Sequence, residues 1–147
     1  MDNKQLRRVF ELVDAEFSGV TFEVNREQSE DGMLVFTADI SAEKYFDDGI
    51  YARCTCYASG VYRVQLVFDS IGRDLTSLQM VNDFNENLAW FKAFVSHRGQ
   101  KDFLELEYFG RDADTPEKMA ASITKMLIQP LEEDTLKYLI PLTKITQ

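Results

Sequence analysis

The sequence predicts an α+β fold: an antiparallel sheet of five to six strands with helices packed on one face, in the order α-β-β-β-β-α-β-β-α-α. Three observations carry this reading. Both ends of the chain repeat apolar residues at helical spacing. The segment from Val20 to Phe68 alternates apolar and polar residues, with turn residues between the runs. A short helical pattern then precedes two further alternating runs.

Leu6, Val9, Phe10, Val13 and Phe17 form one apolar stripe, which predicts a helix over roughly residues 3 to 17, stopped at Gly19. Val20, Phe22 and Val24 alternate with Thr21, Glu23 and Asn25 as a half-buried strand. Ser29-Glu30-Asp31-Gly32 is a turn, because Asp-Gly tolerates positive φ. Strand 33–40 follows, with Leu34, Phe36, Ala38 and Ile40 on one face, then a loop ending at Asp47-Asp48-Gly49. In strand 50–58 one face is small (Ala52, Cys54, Cys56, Ala58), so a helix is expected above it. The other face reads Tyr51, Arg53, Thr55, Tyr57. Ser59-Gly60 breaks the run, and Val61–Phe68 resumes it.

Leu75, Leu78, Val81 and Phe84 predict a short helix, capped by Asp74 or Thr76 and stopped by Asn85-Glu86-Asn87. Leu88–Val95 is the fifth strand, His97-Arg98-Gly99-Gln100 a turn, and Phe103–Phe109 the sixth strand. Thr115-Pro116 is a helix start, a capping hydroxyl before proline at the first helical position. Met119, Ala120, Ile123, Met126 and Leu127 form that helix's buried stripe. Pro130 ends it or begins another helix through Leu131, Leu136, Leu139 and Ile140, which Pro141 closes.

At 147 residues one domain spanning 1–147 is expected, and 45% hydrophobic residues with 11 Phe suit a packed core. The formal net charge of -9 disfavours nucleic acid, whose binding rests on Lys and Arg displacing counterions. Lys4, Arg7 and Arg8 are too few to make a basic patch. No run approaches the roughly 20 apolar residues of a membrane span. The N-terminus lacks the apolar core of a secretion signal. The expectation is a cytoplasmic protein with neither a membrane nor a nucleic acid as partner.

No catalytic set is legible, so an enzyme is not expected. His97, the only histidine, sits in a turn without an evident nucleophile or orienting group. Cys54-x-Cys56 sets two thiols about 7 Å apart on one strand face. A structural zinc site needs four ligands, and small hydrophobic packing explains the pair as well. Asp112-x-Asp114 and Glu132-Glu133-Asp134 lack calcium-loop spacing, and acidic residues before a helix are favourable in any case. No phosphate-binding glycine loop or nucleophile elbow occurs. No cofactor and no metal are expected.

The strand 88–95 is more informative. Ala89, Phe91, Ala93 and Val95 share one face; Leu88, Trp90, Lys92 and Phe94 share the other. The outer face of a one-sided antiparallel sheet should be polar. The excess of apolar surface there predicts cover by another element of the chain or by another molecule. Trp90 and Phe94, with Tyr51 and Tyr57, are therefore the candidate partner-binding residues.

Asp74-Leu75, Val81-Asn82 with Asn85, and Phe91-Lys92-Ala93-Phe94-Val95 resemble the central segment of the YbjN-like bacterial proteins, a sensory transduction regulator group. Those are similar in fold to the type III secretion chaperones, and the order of elements agrees over most of the chain. The resemblance implies a small acidic cytoplasmic protein, often a homodimer, that binds a protein partner. The expected function is accordingly a non-enzymatic module, chaperone-like or regulatory, binding a protein or peptide. The alternative is a small apolar ligand held in a cavity between helices and sheet.

Overall fold

Asp2 starts the first helix. Its carboxylate accepts from Gln5 N at 2.8 Å, and Gln5 Oε1 accepts from Asp2 N at 2.9 Å, a capping box that satisfies two free N–H groups. In the computed structural model, which describes residues 1–41, 49–70, 75–87, 91–98 and 101–144, this helix, α1, spans Asn3–Glu16. The strands are β1 (Glu23–Val24), β2 (Met33–Ile40), β3 (Ile50–Tyr57) and β4 (Tyr62–Ser70), then β5 (Lys92–Arg98) and β6 (Lys101–Gly110). Helix α2 (Leu75–Asn87) lies between β4 and β5. Helix α3 (Pro116–Ile128), a 3₁₀ turn (Gln129–Leu131) and α4 (Glu133–Lys144) close the fold. The order is the expected α-β-β-β-β-α-β-β-α-α.

All strand pairs are antiparallel, in the spatial order β1-β2-β3-β4-β6-β5. Successive strand side chains point to opposite faces. Phe36, Ala38, Ala52, Cys54, Cys56, Val64, Leu66 and Leu106 turn to one face and are buried. They join Leu6, Val9 and Val13 of α1, Phe84 of α2, Met119 and Ile123 of α3 and Leu139 of α4 in one core. The small face of β3 thus lies in the helix-covered layer, as its side chains require.

Gly110 faces the Tyr62 ring across the β4–β6 pair. A Cβ built there would stand 2.0 Å from Tyr62 Cζ, so only glycine fits. Thr115 caps α3 by accepting from Lys118 N, and Pro116 occupies the first turn.

Five details depart from the sequence reading. Strand pairing near Val20–Asn25 is confined to Glu23–Val24, because the chain turns at Asn25, whose N–H donates to Val35 O at 2.8 Å. Leu78 is 49% exposed, so among the described side chains of α2 the inner stripe is Val81 and Phe84; the side chain of Leu75 lies outside the described residues. Helix α2 begins before Thr76, which therefore is not its cap; Asp74 lies outside the described residues. Helix α4 runs past Pro141 to Lys144. His97 belongs to β5 itself rather than to the turn. The loop residues Asp47 and Asp48 also lie outside the described residues.

Candidate functional site on the helix-free sheet face

Antiparallel register lines up the side chains of the second face in rows across the sheet. One row reads Thr37, Arg53, Gln65, Glu107, Lys92. The next reads Asp39, Tyr51, Val67, Glu105, Phe94. On the other side stand Val35, Thr55, Arg63 and Phe109. The described helices pack their apolar stripes against the opposite face, so none of them stands above these rows, in which Val35, Thr55 and Glu105 are nonetheless buried.

The first row is a polar ladder. Arg53 donates from Nε to Gln28 Oε1 and from Nη1 to Gln65 Oε1, each at 3.1 Å. Arg63 Nη2 donates to Glu107 Oε2 at 2.7 Å. Gln28 is presented by the bend at residues 25–29: its N–H donates to Asn25 Oδ1, and Asn25 Nδ2 donates to Gln28 Oε1. Ser29 Oγ donates to Asn25 O at 2.7 Å and accepts from Val35 N at 3.0 Å. This bend borders one end of the face, where Val35 and Thr55 are buried. Beside it lies a hollow of about 180 Å³, walled by Gln28, Tyr51, Arg53, Gln65, Val67 and Glu105.

The candidate residues separate. Tyr51 is 38% exposed and stands at the hollow's edge. Phe94 is half-buried and lies in the Tyr51 row, three strands away, about 14 Å at ordinary strand spacing. Tyr57 is half-buried at the far end of β3, about 20 Å from Tyr51 at the usual rise per residue. Trp90 lies outside the described residues. Phe109, at 52% the most exposed large apolar residue on this face among the described residues, is absent from the candidates read from sequence. Its two-residue spacing from Glu105 and Glu107 is the signal that places it here.

The remaining reactive groups are accounted for locally. His97 pairs across the hairpin with buried Asp102, Nδ1 to Oδ1 at 2.5 Å. The neighbouring Ser96 points to the opposite side of β5, so the three do not form a nucleophile–base–acid line. Cys54 and Cys56 are fully buried. Burial pushes the Cys56 thiol up to about 12, and burial with the Cys56 charge raises Cys54 as well, so both stay protonated. Asp114 bonds Lys118 Nζ at 3.0 Å, and that hydrogen bond holds its carboxyl below the usual range. Among the described residues, no three His, Cys, Asp or Glu side chains gather as a metal cluster. No described helix is long and apolar enough to cross a membrane.

A second concavity, about 530 Å³, lies between α1 and α3 on the helix layer. No protein-family model, curated protein or solved structure gives a significant match to this chain.

Proposed function

We propose that this chain is a non-enzymatic protein-binding module, chaperone-like or regulatory, that holds an extended segment of a partner protein across the helix-free sheet face. One observation carries the reading: Tyr51 and Phe94 lie in a single cross-strand row beside the Arg53–Gln65 ladder, on the face away from the described helices. Apolar anchors beside fixed polar groups suit a peptide, whose side chains need pockets and whose backbone needs donors and acceptors. The resemblance to the YbjN-like proteins and secretion chaperones points the same way, toward a cytoplasmic homodimer-forming protein. A second copy of this chain is the alternative occupant of the face.

The small-ligand alternative needs room between helices and sheet. There Phe36, Phe68, Phe84 and Met119 are fully buried, which favours the protein-binding reading over it.

Photo-crosslinking tests the proposal. A benzophenone side chain at Tyr51 should give the same covalent partner repeatedly, and Arg53→Ala should suppress that adduct. An equal yield from a probe at exposed Arg8 on α1, or no adduct at all, would remove the basis of the reading.

A further inference from the structure

We propose that the groove between α1 and α3 is a second binding site, for a basic amphipathic helix of a partner protein. It lies on the helix layer, away from the sheet face, and does not depend on the function proposed above.

The floor is apolar: Leu12 of α1 and Ala121 and Ile128 of α3. Ile128 is 44% exposed, although α3 buries a complete second stripe against the core. Helix α3 therefore presents two apolar residues, Ala121 and Ile128, outside the stripe that the core requires. From Glu117 to Ile128 the groove follows about three helical turns, roughly 16 Å. Two helices in contact leave a furrow into which the side-chain ridge of a third can pack, and the small Ala121 permits a close approach. The form of the cavity suits a helix laid along it better than a compact molecule enclosed by it.

The rim selects the sign of the occupant. Glu16, Glu117 and Glu132 border the groove, against the one described cation Lys125. The whole chain carries -9. An apolar stripe flanked by Lys or Arg meets both the floor and the rim, whereas an acidic helix meets three carboxylates.

The test uses a labelled synthetic Leu/Lys helix, with Leu at i, i+3, i+4 and i+7, titrated by fluorescence anisotropy against the full chain. Binding is expected to weaken about tenfold or more with Ala121→Trp, which fills the floor from an exposed position, and with the pair Glu117→Lys and Glu132→Lys. The pair Glu27→Lys and Asp83→Lys changes net charge equally at exposed sites outside the groove and should cost far less. Arg53→Ala should leave this binding unchanged, which separates it from the sheet-face proposal. Circular dichroism confirms that each variant is folded. The proposal is overturned if the control pair weakens binding as much, if a Leu/Glu helix binds equally well, or if Ala121→Trp has no effect. It is also overturned if dodecylammonium occupies the groove while the peptide does not, or if Ala121→Trp abolishes self-association in sedimentation, which would make the occupant a second copy.

Discussion

Asn85 holds Ala93 from outside the sheet: its Nδ2 donates to Ala93 O at 2.9 Å, and Ala93 N donates to its Oδ1 at 2.7 Å. Strand β5 is an edge strand of the described sheet, so among the described residues these backbone groups have no neighbouring strand to pair with. The amide of Asn85 stands in for one, and Ala93 is buried beneath it. Asn85→Ala should lower unfolding free energy by about 1–3 kcal/mol, as two buried backbone groups lose their partners. Asn85→Asp keeps the acceptor and loses the donor, so it should also destabilise. Urea titration measures both, and an unchanged midpoint for Asn85→Ala would refute the role.

Gly110→Ala should destabilise by about 1–3 kcal/mol through overpacking against the Tyr62 ring. The cost should shrink in a Tyr62→Leu background, because the ring that a Cβ would strike is then gone. A double-mutant cycle without coupling would show that the ring is not the obstacle.

Alkaline pH should unfold this protein early. A thiol raised on folding contributes stability that is complete below its unfolded pKa, near 8.5, and is lost as pH climbs toward the folded value. For Cys56 that window ends at about 12, and Cys54 acts in the same direction. Burial raises Tyr62 too, its hydrogen bond with Tyr108 adding to the rise and that with Ser122 opposing it, which extends the effect above pH 10. The denaturation midpoint should fall from pH 8 upward, and replacing both cysteines with alanine should flatten the first part of the fall. A thiol-reactive dye at pH 8 should label neither cysteine until denaturant is added.

On the open face, Tyr51→Ala and Phe109→Ala should each change stability by no more than about 0.5–1 kcal/mol, since both side chains already meet water. Under the proposed function, with the benzophenone moved to Phe94, both should reduce capture of the crosslinked partner. Calorimetry alongside the crosslinking assay separates the two effects, and undiminished capture by the folded variants would argue against this face.

The period-two alternation of β2, β3 and β4 was legible because one face is buried and the other is not, so residue type follows position. Val35 escaped this logic. It sits on the outer side yet is fully buried, in a place defined by hydrogen bonds from Asn25 and to Ser29 that alternation does not encode. Asn85 reads as a helix stop, and it does lie in the last turn, but its bonds to Ala93 depend on how α2 docks against β5. The His97–Asp102 pair depends on hairpin register, which spacing alone left open. Tyr51 and Phe94 fall in one row only because β6 inserts between β4 and β5, a crossover that local patterns do not report.

That crossover also divides the folding problem. β1 to β4 pair with their neighbours in sequence, and β5 pairs with β6 as a hairpin. Within the sheet the β4–β6 seam, from Tyr62 against Gly110 to Ser70 against Phe103, joins the two halves, and it does so between segments remote in sequence. Closing a long loop costs chain entropy before any contact repays it. The assembly of the protein therefore turns on this one join, where the steric demand at Gly110 also sits.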